Sequence, residues 1–171
     1  MEVTKKYELT DNTITIDGII LHQIKALRSF GYVTKGNLGG WIEKEENLSQ
    51  MGNAWVYTNA KVYGGAKVFG NAQVYGGAIV SDNAEVCDNA EIYGNAVVYD
   101  NAKVHGDAEV YGNANVCGNA RVYGDALVYG DAKVFGNAKV DGNAEVCDNA
   151  EIYGNSVVYG YAEICGYAEV Y

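Results

Sequence analysis

Histidine and cysteine are the side chains of this chain that most often serve catalysis or metal binding, and they are few. The 171 residues contain two histidines, His22 and His105, and four cysteines. An imidazole can act as a general base, and imidazoles and thiolates can ligate zinc. The cysteines form no Cys-x-x-Cys pair; they are Cys87, Cys117, Cys147 and Cys165. No glycine-rich phosphate loop leads into a helix. These side chains can form a site only if the fold brings them together, so the elements that carry them are considered next.

A six-residue repeat fills residues 52–171. From Val56 to Val170 every sixth residue is Val or Ile, and two residues before each stands Ala, with Ser156 as the exception. In an extended segment successive side chains alternate faces, so Ala and Val share one side and the following aromatic takes the other. The next two positions are mostly Gly, Asp or Asn, which accept the left-handed backbone of a sharp corner. A helix is excluded, because a period of six does not follow 3.6 residues per turn.

Short strands joined by similar corners generate a coil. If each corner turns the chain by about 120°, three repeats close a triangle of about 18 residues, and successive coils stack at roughly 4.8 Å. The sequence therefore predicts an all-β, single-stranded parallel β-helix of triangular section, with six to seven coils over residues 52–171. Val and Ile fill its interior, and the aromatic side chains face outward.

The first 51 residues lack the repeat and are predicted to form a small β-rich cap. Apolar and polar residues alternate around Asp17-Gly18, which is a two-residue hairpin signal. Such a cap covers the open edge of the first coil. We expect Trp41 and Trp55 to pack between the cap and the coil.

An 18-residue coil sorts the outward side chains into three ladders. One of them contains five tyrosines followed by two cysteines: Tyr57, Tyr75, Tyr93, Tyr111, Tyr129, Cys147 and Cys165. Glutamates lie beside this ladder, among them Glu91 and Glu109. Two interpretations stay open: rings that stack to stabilise adjacent coils, or a binding surface for a partner or for a second copy. Cys147 and Cys165 can approach each other, and we favour free thiols over a disulfide because we expect a cytoplasmic chain.

The last coil carries further tyrosines: its corners change from Gly-Asn to Gly-Tyr at Tyr161 and Tyr167, and Tyr159 and Tyr171 take the usual outward aromatic position. They are Tyr159, Tyr161, Tyr167 and Tyr171. Unpaired strand edges favour association, so this end is a predicted association edge for end-to-end assembly. The alternative is that the bulky rings shield the edge.

The charge lies mainly in the repeat. The formal net charge is −10, of which residues 52–171 carry −9. An acidic body disfavours direct binding of nucleic acid. No apolar run reaches the roughly 20 residues that span a bilayer, and the first residues lack the apolar core of a secretory signal. We therefore expect a cytoplasmic chain without membrane association.

The repeat resembles the hexapeptide repeat, in which an aliphatic residue is followed four residues later by a small one, as in VYGNA at residues 110–114. The resemblance covers residues 52–171 and implies a left-handed coil. The leader resembles that of small bacterial and phage proteins that are named hexapeptide transferases because of their repeat. The first function that we consider is a non-catalytic structural or interaction protein, which presents tyrosine and charge ladders to itself or to a protein partner. A phage origin would add host-directed binding or an acidic imitation of nucleic acid.

The resemblance also implies an alternative, an acyltransferase of the hexapeptide type. Such an enzyme would be a trimer, with acyl-CoA in an inter-subunit cleft and His105 as general base. Against it, no loop interrupts the coil, and His105 takes an outward position that is usually tyrosine. Two histidines cannot supply the three that hexapeptide carbonic anhydrases use for zinc. We therefore expect no catalytic residue, no cofactor and no metal under the first function.

Overall fold

The computed structural model describes residues 5–171, which form a short antiparallel region followed by a long coil of two-residue strands. The first three strands are β1 (Tyr7–Ile16), β2 (Ile19–Ala26) and β3 (Leu38–Ile42), and a 3₁₀ helix spans Glu45–Asn47. β1 and β2 pair antiparallel, and Asp17 and Gly18 turn between them with φ of 49° and 84°. The predicted hairpin is confirmed. Within residues 5–171 no helix is long and apolar enough to cross a membrane.

Each repeat contributes one two-residue strand that ends on its Val or Ile. These strands are β4 (Trp55–Val56), β5 (Lys61–Val62), β6 (Lys67–Val68), β7 (Gln73–Val74), β8 (Ile79–Val80), β9 (Glu85–Val86), β10 (Glu91–Ile92), β11 (Val97–Val98), β12 (Lys103–Val104), β13 (Glu109–Val110), β14 (Asn115–Val116), β15 (Arg121–Val122), β16 (Leu127–Val128), β17 (Lys133–Val134), β18 (Lys139–Val140), β19 (Glu145–Val146), β20 (Glu151–Ile152), β21 (Val157–Val158), β22 (Glu163–Ile164) and β23 (Glu169–Val170).

The repeat strands form three parallel sheets, one for each wall of the prism. Their orders are β3-β5-β8-β11-β14-β17-β20-β23, β4-β7-β10-β13-β16-β19-β22 and β6-β9-β12-β15-β18-β21, and β1 and β2 extend the first of them. Paired residues are 18 apart along the chain, as in Val110 and Val128. The all-β parallel solenoid with about 18 residues per coil is therefore confirmed, and its left-handed sense stays a prediction from the resemblance.

The core is a column of small aliphatic side chains along the axis of the prism. Every repeat Ala from Ala54 to Ala150 and every repeat Val or Ile from Val56 to Ile152 is buried. Removing one such Val side chain from water contributes roughly 1.5–3 kcal/mol before chain entropy is counted. Adjacent coils are joined by backbone hydrogen bonds, such as that from Tyr93 N to Val110 O at 3.0 Å. The predicted division into inward aliphatics and outward aromatics is confirmed.

The corners depend on a left-handed residue that approaches the next coil closely. Gly112 has φ of +71°, and a Cβ atom there would lie 2.9 Å from the backbone N and O of Gly130. Aspartate replaces glycine at four corners with φ between 56° and 59°. There the side chain makes a different contact: Asp100 Oδ2 accepts a hydrogen bond from Gly118 N at 3.0 Å.

The cap packs on the first coil through Trp55, which is only 1% exposed. Its indole meets the rings of Tyr7 and Phe30 edge-on, at centroid distances of 6.1 and 5.4 Å. The prediction that Trp55 packs between cap and coil is confirmed. Trp41 lies partly exposed on β3, and it joins the coil through its backbone N, which donates to Ala60 O at 3.0 Å.

Part of the predicted cap already stacks as a coil. β3 pairs in parallel with β5, and Leu48 bridges Val68 in parallel. The cap also contains a buried cation that the sequence did not indicate. Lys6 Nζ donates to Ala54 O at 2.8 Å and lies 5.1 Å from the centre of the Phe30 ring. The boundary at residues 51 and 52 stays a prediction.

Candidate functional site

The most regular surface feature is the tyrosine wall. We define it as five tyrosines and the three glutamates beside them: Tyr57, Tyr75, Tyr93, Tyr111, Tyr129, Glu91, Glu109 and Glu145. The rings from Tyr75 to Tyr129 stack in parallel, with centroids 4.8 to 4.9 Å apart and planes within 4°. This separation is the spacing of the coils themselves. Stacking therefore follows from register, because each tyrosine takes the same place in its coil.

The stack is broken at its first member. The ring of Tyr57 meets that of Tyr75 edge-on, at 6.1 Å and an angle of 83°. Tyr57 belongs to the coil next to the cap, where it packs against the buried core, and burial is the main cause that raises its pKa. The predicted ladder of five is thus four stacked rings and one turned ring.

Three tyrosines of the stack donate their hydroxyls to glutamates of the following coil. Tyr75 donates to Glu91 Oε2 at 2.6 Å and Tyr93 to Glu109 Oε2 at 2.7 Å, and Tyr129 donates to Glu145 Oε2 at 3.1 Å. Burial, followed by these hydrogen bonds and carboxylate charges, raises the pKa values of Tyr75 and Tyr93. Ring and carboxylate are therefore held as one unit on each of these coils.

The glutamates of the wall have no cationic partner in the part of the chain that the structure describes. The ion pairs there involve other carboxylates: Lys5–Glu45, Lys103–Glu85, His105–Asp88 and Lys133–Glu151. The charge of Glu91, Glu109 and Glu145 is consequently available to an external cation.

A cavity opens where the stack is broken. It has a volume of about 220 Å³ and is lined by Tyr57, Gln73 and Tyr75. The two tyrosine rings that line it stand at a steep angle, and an open ring face attracts ammonium and guanidinium groups. Gln73 Oε1 already accepts a hydrogen bond from the Tyr57 hydroxyl at 3.3 Å.

His105 lies on another wall, away from both cavities that we describe. Its ring stacks on Tyr123 at 5.0 Å, and its Nδ1 is 3.9 Å from Asp88 Oδ2, which is too far for a hydrogen bond. The larger cavity, of about 370 Å³, is lined instead by residues such as Asp131, Lys133 and Glu151. His22 is also engaged elsewhere, with Nδ1 3.2 Å from Thr10 O.

Of the four cysteines, two are joined in the structure. Cys147 and Cys165 form a disulfide with Cα atoms 4.6 Å apart, while Cys87 and Cys117 are free. Our preference for free thiols at the first pair is wrong in this structure, because in-register stacking brings the two Cα atoms within the range that a disulfide spans. Burial, and then the charge of Asp88, raises the pKa of Cys87 to about 11. A thiol of this kind is protonated at neutral pH and is a poor nucleophile.

Sequence reasoning missed Asp148, which lies beside the disulfide. One of its carboxylate oxygens and the sulfurs of Cys147 and Cys165 all lie within 4.8 Å of one another. In the sequence Asp148 is only one of several corner residues, so no spacing singled it out.

The tyrosines of the last coil lie open to solvent. Tyr161 is 89% exposed, and Tyr159, Tyr167 and Tyr171 are exposed as well. Tyr171 also stacks on Tyr153 at 5.6 Å. Their role as an association edge stays a prediction.

The fold is a parallel β-solenoid built from six-residue repeats, and comparison with known proteins agrees with this fold. The family described as YdcK Beta solenoid repeat matches residues 90–106, 114–130 and 120–134. Over 43 residues the chain is 44% identical to the "Uncharacterized acetyltransferase YdcK" of Escherichia coli (strain K12). That match covers 25% of this chain and 13% of the relative. The resemblance to hexapeptide-repeat proteins is confirmed.

Proposed function

We propose that this protein is a non-catalytic scaffold whose tyrosine wall binds a basic segment of a partner protein. One observation carries the proposal: four parallel rings stand 4.8 to 4.9 Å apart, next to glutamates that have no cationic neighbour within residues 5–171.

The chemistry of the wall suits lysine and arginine side chains. The carboxylates of the wall attract ammonium and guanidinium groups, and a charge-assisted hydrogen bond is stronger than a neutral one. Within the stack the ring faces lie against one another, so a cation–π contact is left to the broken end of the stack at Tyr57 and Tyr75. The acidic repeat region, with −9 formal charge, would also steer a basic partner toward the surface. Since the rings are already stacked, little side-chain entropy is lost on binding. The cavity beside Tyr57 has room for the end of one basic side chain.

Self-association through the same wall is the less favoured form of this proposal. Two copies that face each other through this wall would bring Glu91 and Glu109 against like charges, which opposes the contact. A trimer or an end-to-end assembly would instead use other surfaces, among them the exposed tyrosines of the last coil. Measurement of the mass in solution distinguishes these states.

The test uses a fluorescent lysine-rich peptide as the basic probe and follows its anisotropy. Replacing Glu91 and Glu109 together with Gln should weaken binding about tenfold, because two charges leave the wall. The matched control replaces Glu151 and Glu169 with Gln. It removes the same formal charge from another wall, where Glu151 pairs with Lys133 and Glu169 accepts a tyrosine hydrogen bond. Equal losses in both double variants would show that general acidity, not the tyrosine wall, attracts the peptide.

The second candidate function is acyl transfer, and the name of the YdcK relative, an acetyltransferase, favours it. It needs acyl-CoA in an inter-subunit cleft of a trimer, with His105 as general base. Calorimetry with acetyl-CoA and an assay of acetyl transfer test it directly. A scaffold predicts neither binding nor transfer. Acetyl transfer by the unmodified chain that is lost in His105→Ala, with the coil intact, would establish the enzyme instead.

A further inference from the structure

The tyrosine ladder ends in a different kind of chemistry. The positions after Tyr129 are Cys147 and Cys165, and Cys147 is nearly buried at 5% exposure. The carboxylate of Asp148 lies beside both sulfurs, with one ligand atom of each residue within 4.8 Å of the others. Two sulfurs and one carboxylate oxygen at this separation are the donors that zinc prefers.

The carboxylate is held in place, and more negative charge surrounds it. Asp148 Oδ2 accepts a hydrogen bond from Gly166 N at 3.1 Å, which directs the side chain toward the coil of Cys165. Glu163 Oε1 is 3.9 Å from Cys165 Sγ. None of the ion pairs found in residues 5–171 involves Asp148 or Glu163. Two-electron reduction of the disulfide by an external thiol or phosphine, which is itself oxidised, would give two thiolates and add negative charge to a place that already lacks a cation.

We propose that the reduced form of this pair is a zinc site, with Cys147, Cys165 and Asp148 as ligands. Tetrahedral zinc with bonds of about 2.3 Å holds its two sulfurs roughly 3.8 Å apart. Neighbouring strands with Cα atoms 4.6 Å apart allow that separation once the sulfur–sulfur bond is open. We assign the fourth ligand to Glu163, whose Oε1 is 3.9 Å from Cys165 Sγ. The disulfide form offers no thiolate and does not bind the metal.

The site is independent of the proposed partner binding, because Cys147 and Cys165 lie beyond the last tyrosine of the wall and the site needs no basic ligand. The two proposals can therefore fail separately.

The experiment reduces the full chain with a phosphine, removes the reductant and titrates cobalt(II) as a spectroscopic probe for zinc. We expect one cobalt per chain, a thiolate-to-cobalt absorption band in the near ultraviolet, and displacement of the cobalt by one equivalent of zinc. The oxidised chain should give no band. Absence of the band from the reduced chain would overturn the proposal.

Five single variants test the assignment of the ligands. Cys147→Ser and Cys165→Ser should each abolish the band, whereas Cys87→Ser and Cys117→Ser serve as matched controls and should retain it. Asp148→Asn keeps both thiols and should weaken cobalt binding tenfold or more. Circular dichroism verifies that each variant is folded. A band that survives without Cys147, or that disappears without Cys87, would refute the assignment.

Discussion

The corner glycines offer the most direct test of how the coils are held together. In Gly112→Ala the new Cβ would meet the backbone N and O of Gly130 at 2.9 Å. That backbone cannot move aside easily, since Gly130 O also accepts a hydrogen bond from Asn113 N at 2.7 Å. Gly160 provides a matched control, because it has the same φ of +71° and no atom within 4 Å of an added Cβ.

The two variants separate two costs. Placing a residue with a Cβ in the left-handed region costs roughly 1–2 kcal/mol, and both variants bear this cost. Gly112→Ala also forces two packed coils apart, which adds about 1–3 kcal/mol. We therefore expect Gly160→Ala to lose about 1–2 kcal/mol of unfolding free energy and Gly112→Ala about 2–5 kcal/mol.

A third variant tests aspartate, which replaces glycine at four other corners of this chain. Aspartate occupies other corners of this chain, where its carboxylate accepts the amide hydrogen of the next corner, as Asp100 does from Gly118. Gly112→Asp should therefore be less destabilising than Gly112→Ala by about 1 kcal/mol, although its side chain is larger.

Urea unfolding followed by far-ultraviolet circular dichroism measures all three variants. Repeat arrays can unfold in parts, so hydrogen exchange at the amides of adjacent coils should accompany it. Equal destabilisation by Gly112→Ala and Gly160→Ala would refute the argument from close approach. A Gly112→Asp variant that is less stable to urea than Gly112→Ala would refute the argument from the hydrogen bond.

Three further predictions concern titration and thiol chemistry. Above about pH 10 the fold should lose stability, because unfolded tyrosines ionise there while the folded chain keeps Tyr93 protonated at a raised pKa. The urea midpoint should therefore fall as the pH rises, and it should fall less steeply in Tyr93→Phe. An identical fall in both proteins would contradict this. Burial lowers the pKa of Lys6 to about 8, so the unfolded chain binds this proton more tightly than the folded chain. The free energy of unfolding should therefore rise by about 2 kcal/mol between about pH 7 and pH 9.5. The rise should be absent from Lys6→Met, and its persistence there would assign it to another group. Iodoacetamide without reductant should label Cys117 and, more slowly, Cys87, because the high pKa of Cys87 leaves little thiolate. Peptide masses should show that Cys147 and Cys165 are labelled only after reduction. Labelling of these two residues before reduction would contradict the disulfide.

The sequence by itself determined the coil and the membership of its ladders. A period of six with Ala and Val at fixed places leaves one inward face per strand, and three such strands per coil put residues 18 apart in register. Every tyrosine of the wall then has a defined neighbour, so the ring separation follows from the strand spacing. Regular backbone geometry turns the position in the repeat directly into a position in space.

Only the tertiary structure decided what happens where the repeat meets something that does not repeat. Trp55 occupies an outward position, yet it is buried because the cap brings Tyr7 and Phe30 against it. The turned ring of Tyr57 and the burial of Lys6 arise at the same junction. The meeting of Asp148 with Cys147 and Cys165 depends on side-chain directions, which a period does not specify. Packing between non-equivalent segments, together with the choice of rotamers, has no signature in spacing, so these features became visible only when the chain was folded.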